Sequence, residues 1–252
     1  MNPATVISVL NQKGGVGKTT SCAALAEELQ ARGFSVLSVD LDPQGDLSYI
    51  MRADVEEAPT MRDVMREEIP AAEAIQHTAA GDVLPADVDL AGVEMEIISK
   101  WGREHILKRA LAEVSQKYDF IIIDGPRGLG IMTVNALAAS DRVLIPMAAA
   151  SLSVKGLRQL VKITNEVREM LNPGLKYDGI LITRFDGRAN VRKDLRGMIE
   201  GFADQLGCRV YGPIREAAAV EEAQSSQTPL QEYAAGSKFA ADYKEFVDAF
   251  LA

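Results

Sequence analysis

Short apolar runs rich in β-branched residues alternate along this chain with longer segments whose apolar positions recur at helical spacing. The runs are Val6 to Leu10, Phe34 to Val39, Phe120 to Ile123, Asp141 to Pro146, Tyr177 to Thr183 and Cys208 to Tyr211, with a weaker one at Asp82 to Pro85. Nearly continuous apolar character marks strands buried on both faces, as in a parallel sheet. Helical spacing is read over Ser21 to Arg32, Thr60 to Arg66, Ala71 to Ile75, Ile106 to Lys117, Ile131 to Ala139, Ser151 to Leu171, a segment ending near Leu206, and a last helix capped by Ser237 and running to about Leu251. Gly33 stands where a helix C-terminus favours glycine. The alternation predicts an α/β fold, a mostly parallel twisted central sheet with helices on both faces.

The 252 residues contain no recognisable linker, so the expectation is one domain over 1–252 with no N-terminal DNA-binding extension. Hydrophobic residues make up 47% and charged residues 25%, a composition that supports a sizeable core. No apolar run approaches the length of a membrane span and no signal-peptide pattern opens the chain, which reads as cytoplasmic. Cys22 and Cys208 form neither a disulfide framework nor a metal cluster, and Cys22 reads as a small buried residue. His77, His105 and the lone Trp101 are isolated and read as surface or packing residues.

Net charge is −9, yet residues 153 to 215 hold 12 Lys and Arg against 7 Asp and Glu. Within them Arg188, Arg192, Lys193 and Arg196 follow Arg184 closely. Such a run is either a solvated helix face or a phosphate-binding one. With few aromatic residues among the basic ones, any DNA contact would be to the backbone and independent of sequence.

The densest chemical signal follows the first strand: Asn11-Gln12-Lys13-Gly14-Gly15-Val16-Gly17-Lys18-Thr19-Thr20. Three glycines in four residues let successive N–H groups converge on phosphate oxygens at a helix N-terminus. Lys18 would neutralise the β- and γ-phosphates and the Thr19 hydroxyl would reach Mg²⁺. Counting back from Lys18 puts Gln12 where the common pattern has its first glycine, and a second lysine, Lys13, precedes Gly14. Asp40 and Asp42 end the second strand and Asp124 ends the Phe120 to Ile123 run, so three carboxylates fall at the edge where open α/β sheets bind ligands. Asp40 or Asp42 would orient magnesium waters and an attacking water, and Asp124 would hold the metal through its water shell beside Thr19.

Lys-Gly-Gly-Val-Gly-Lys-Thr-Thr, with Asp40-Leu41-Asp42-Pro43-Gln44-Gly45 and the strand ending at Asp124, resembles the deviant Walker A P-loop ATPases of ParA and MinD type. The resemblance covers nearly the whole chain, including Asp82 to Asp87 and Leu90 to Glu94. It implies a homodimer closed by ATP, with Lys13 reaching the partner's nucleotide and Lys18 holding its own. It also implies hydrolysis supported by Asp42, with Asp40 near the magnesium shell. Family behaviour further implies non-specific DNA binding by the dimer on the nucleoid, a ParB-like or other adaptor that stimulates hydrolysis, and a plasmid, chromosome origin or protein assembly as cargo. Thr183 and Arg184, and at a second strand end Pro213 and Arg215, are candidate base contacts.

The chain departs from the family pattern twice. Arg127-Gly128 stands where relatives have Pro-Ser, and Arg127 either stabilises charge or contacts a subunit, or is an exposed turn residue. Arg215 to Ala223 keeps only Glu222-Ala223 of the pattern there. Among rivals, a MinD-like membrane ATPase needs a basic amphipathic C-terminal helix, whereas Phe239 to Ala252 carries Asp242, Lys244, Glu245 and Asp248. A nitrogenase-reductase-like protein needs cysteines that Gly125 to Gly130 lacks. An ATP-dependent metabolic ligase or kinase of the same fold is the alternative of a different class.

Overall fold

A computed structural model describes residues 3–148, 154–185 and 191–252. Arg188, and the side chains of Arg192 and Lys193, lie outside the described part, as do the first residues of the helix expected from Ser151. The described strands are β1 (Thr5–Val9), β2 (Val36–Asp40), β3 (Gln76–Thr78), β4 (Gly81–Leu84), β5 (Phe120–Asp124), β6 (Arg142–Ala148), β7 (Lys176–Thr183) and β8 (Arg209–Tyr211). They form one eight-stranded sheet in the order β3-β4-β2-β5-β1-β6-β7-β8, parallel except for the antiparallel β3–β4 edge. The predicted α/β architecture is the one observed.

The helices are α1 (Lys18–Ala31), α2 (Asp46–Ile50), α3 (Met61–Arg66), α4 (Ala71–Ala74), α5 (Leu90–Ile97), α6 (Ile106–Ala112), α7 (Ile131–Ala139), α8 (Val154–Met170), α9 (Val191–Leu206), α10 (Ala219–Ser225), α11 (Leu230–Tyr233) and α12 (Lys238–Leu251). The expected helix Ile106 to Lys117 is shorter, because α6 stops at Ala112 and Ser115–Lys117 forms a separate 3₁₀ turn before β5.

Period-two alternation divides the core between the two faces of the sheet. Ile121 and Ile123 of β5 pack among residues of α3 to α9, whereas Ile122 packs among residues of α1, α2, α10, α11 and α12. On that second face Phe239, Tyr243, Phe246 and Phe250 of α12 lie at helical spacing and are buried, with Tyr211 of β8 and Phe246 edge to face at 5.2 Å. Ser237 caps α12 by accepting from the Ala240 N–H, as its sequence position predicts. The apolar face of α12 is therefore packed inside the molecule. Among the described residues no helix is long and apolar enough to cross a membrane.

Strand order places β1 between β5 and β6, so the connection from β1 to β2 and that from β5 to β6 run in opposite directions and open a crevice at the C-terminal ends of β1 and β5. Register then decides which side chains meet. Asp124 stands opposite Val9 on one side and Asp40 on the other, which sets two carboxylates side by side just below the glycine loop.

Ile122 is fully buried under this edge. Ile122→Ala should lower the unfolding free energy of the nucleotide-free protein by about 3 kcal/mol, read as a fall in the urea midpoint with an unchanged slope.

Candidate active site

The loop between β1 and α1 is shaped by backbone conformations that only glycine adopts without strain. Gly15 has φ of 70° and Gly17, at the N-cap of α1, has φ of 81°. No side chain caps α1 and no acidic residue occupies its first turn, so its N-terminal N–H groups and positive dipole end are left to an anion. Asn11 pins the loop from both directions, donating to the Pro146 carbonyl at 2.7 Å and accepting from the Lys13 N–H at 2.9 Å. The Thr183 hydroxyl donates to the Val16 carbonyl at 2.8 Å. Arg184 donates to the Gly15 carbonyl at 3.0 Å and forms an ion pair with Glu216. Within this loop Lys18 is buried while Lys13 is exposed.

The three strand-end carboxylates have different surroundings. Asp40 is fully buried, and its two oxygens accept from the Asp42 N–H at 3.1 Å, the Ser48 N–H at 2.9 Å and the Ser48 hydroxyl at 2.7 Å. Burial and the adjoining Asp124 charge push its carboxyl well above the usual range, against those three hydrogen bonds. Asp40, expected near the magnesium shell, stands beside Asp124 and uses both oxygens to brace the turn between β2 and α2.

Asp124 is also buried, but neither of its oxygens has a hydrogen-bond partner among the described residues. Burial pushes this carboxyl up as well, against the Thr19 hydroxyl and the Lys18 ammonium nearby. A buried, unsatisfied carboxylate beside a threonine hydroxyl suits a hard cation or its water shell. Thr19 and Asp124 are thus the residues whose surroundings fit Mg²⁺.

Asp42 accepts from the Gln44 N–H at 3.1 Å and faces the Arg127 guanidinium at 3.4 Å. Arg127 also donates to Asp46 at 3.0 Å. Cys22, buried below the loop, has its thiol pushed up by burial and by Asp124, as an inert packing residue would.

Beside the loop lies a cavity of about 450 Å³ whose walls include Gly17, Thr20, Thr183, Ile214, Phe239 and Tyr243. Thr183 and Arg184, expected as base contacts, line it. Arg215 lines it too, but its guanidinium is committed to Asp242 through bonds of 2.6 and 2.7 Å. Pro213 is not among the lining residues. The apolar wall from α12 escaped the sequence reading because Phe239 and Tyr243 look like ordinary core positions of an amphipathic helix. Only tertiary packing carries them to the loop, where the Tyr243 hydroxyl lies 3.2 Å from Ser21 Oγ. Of the basic residues expected on DNA, Arg184 pairs with Glu216, and Arg196 with Glu200 one turn along α9.

A sequence model of the AAA domain family matches residues 4–177. Over 191 residues the chain is 42% identical to the sporulation initiation inhibitor protein Soj of Bacillus subtilis, covering 74% of this chain and 75% of Soj. It is 36% identical over 242 residues to the chromosome partitioning protein ParA of Caulobacter vibrioides, covering 92% of this chain and 88% of ParA. The chain belongs to the Soj/ParA family. Its fold is the P-loop ATPase fold of that family, and the glycine loop and strand-end carboxylates fall at the edge described above. A solved structure of similar shape is cobyrinic acid a,c-diamide synthase from Mycobacterium smegmatis with bound ADP and magnesium. It has a TM-score of 0.85 and 35% identity, and the match covers 98% of this chain and 94% of that one.

In both Asp40 and Asp124 the folded chain keeps a proton that the unfolded chain releases near pH 4, so each lowers stability as pH rises from about 4 through neutrality. Asp124→Asn should therefore raise the urea midpoint of the nucleotide-free protein in EDTA at pH 8, change it little at pH 4.5, and flatten the decline between them.

Proposed function

We propose that this Soj/ParA-family chain is a magnesium-dependent ATPase that closes into a homodimer on ATP, binds DNA without sequence preference, and segregates or positions a cargo. The cargo would be a plasmid, a chromosome origin or a protein assembly, and a ParB-like adaptor would stimulate hydrolysis. The observation that carries this reading is the contrast within one loop: Lys18 is buried against its own site, whereas Lys13 is exposed. A chain holding nucleotide only for itself has no use for the second lysine; a two-fold dimer joined across two nucleotides does.

The chemistry follows from the chain's own groups. The N–H groups opening α1 and the Lys18 ammonium hold the β- and γ-phosphates, and Thr183 and Arg184 brace the loop from behind. Thr19 and Asp124 would hold Mg²⁺, which would supply charge neutralisation between those phosphates. Asp42 orients the attacking water. As water adds to the γ-phosphorus, the bond to the bridging oxygen breaks, giving ADP, phosphate and a proton. Ile214, Phe239 and Tyr243 provide an apolar seat for the base. Release of phosphate reopens the dimer and frees the DNA, leaving a cytoplasmic protein that is nucleoid-associated while ATP-bound.

A second reading, an ATP-dependent metabolic ligase, is favoured by the likeness to the mycobacterial synthase. The exposed Lys13 and the basic stretch weigh toward the first. A MinD-like membrane role is less well supported, because the apolar face of α12 is buried.

Binding to non-specific duplex DNA, titrated with salt in ATP, in ADP and without nucleotide, tests the proposal. Tight, salt-sensitive binding with ATP alone, lost in Lys13→Ala, is expected. Equal binding in all three states would overturn it. Replacing Arg188, Arg192 and Lys193 together by alanine should flatten the plot of log affinity against log salt by about one unit for each phosphate no longer neutralised.

A further inference from the structure

Arg127 occupies the place where the glycine loop and the turns after β2 and β5 meet. It follows Gly125 and Pro126 directly after β5 and faces Asp42 and Asp46 of the turn after β2, at 3.4 and 3.0 Å. Its stem lies over the glycine loop, because a Cβ added to Gly14 would stand 3.9 Å from Arg127 Cδ. The base cavity lies against Gly15, Gly17 and Thr20, and neither Arg127 nor Asp42 lines it. A nucleotide whose base fills that cavity and whose phosphates follow the start of α1 runs away from the cavity toward Gly14, Asp42 and Arg127. Along such a path the third phosphate of a triphosphate is the group nearest that end.

The contacts of Arg127 are suited to exchange. Its side chain is about half exposed, and its Asp42 contact is longer than its hydrogen bond to Asp46. A guanidinium presents several donors in one plane, so it keeps one carboxylate while turning others to phosphate oxygens. We propose that Arg127 reads the terminal phosphate of a bound nucleoside triphosphate, remaining anchored on Asp46 while it trades Asp42 for γ-phosphate oxygens. With a diphosphate bound, Arg127 stays on Asp42. With a triphosphate bound, the Asp42 oxygen it occupied becomes free to accept from water. Arg127 is in this sense a specificity-determining residue for triphosphate over diphosphate, a function that Pro-Ser at these positions has no cation to supply.

This inference rests on the reading that the loop binds adenine nucleotides. Its test is the ratio of affinities for a non-hydrolysable ATP analogue and for ADP, both with Mg²⁺, measured by titration calorimetry on wild type, Arg127→Ala and Arg127→Lys. Arg127→Ala should weaken the triphosphate analogue by about tenfold to a hundredfold, the effect of losing a charge-assisted hydrogen bond. ADP affinity should stay within about twofold, which also shows that the variant folds. Arg127→Lys, which keeps the charge without the fork, should fall between. An unchanged ratio, or equal losses for both nucleotides, overturns the role of Arg127 while leaving nucleotide binding standing. A wild type that binds neither nucleotide overturns both readings, and one that binds with the expected ratio but shows no ATP-gated DNA binding overturns only the proposed function.

Discussion

The site depends on one unfavourable contact. Parallel pairing of β2 with β5 brings Asp40 and Asp124 to the same level, both buried, so two carboxylates share one dry place. Charged groups so placed are tolerated only when something answers them. Asp40 is answered from within, by the Ser48 N–H and hydroxyl and by the Asp42 N–H. Asp124 has no hydrogen-bond partner among the described residues, and the nearby Thr19 hydroxyl and Lys18 ammonium favour its charge. The same register that fills the core therefore leaves, beside Thr19, a buried carboxylate whose surroundings suit a cation, and the bracing of Asp40 fixes the turn on which Asp42 rides.

Around that pair the fold divides labour between its two faces. The face carrying α1 and α12 builds the apolar cavity, and the loops after β2 and β5 gather charged groups outside it, over the start of the glycine loop. The glycine loop runs between them, held by Asn11 on one flank and by Thr183 and Arg184 on the other. Side chains from separate strand ends and their following turns thus converge on a single short loop. This explains why the chemistry is dispersed in sequence while compact in space.

What the sequence reveals follows from the range of the physics involved. Ile121 to Ile123 announce a central strand because burial on both faces demands an uninterrupted apolar run. Gly17 and Lys18 announce a phosphate loop because the backbone tolerates few alternatives there. By contrast β3 is short, polar and half exposed, and exists through pairing with β4 rather than through its own composition. The division of roles between Asp40 and Asp124 is equally invisible in a one-dimensional pattern, since it rests on Ser48 of the following helix folding back beneath Asp40. Arg215 reads as a ligand-contact candidate by position, yet Asp242 on the last helix claims its guanidinium. In each such case the deciding partner is remote in sequence or has no distinguishing local signal.

The bond between Tyr243 and Ser21 joins the first helix to the last, 222 residues apart. During synthesis the glycine loop emerges well before the wall that Tyr243 supplies to its cavity. The nascent chain thus carries the glycine loop long before it carries the apolar wall that packs beside it.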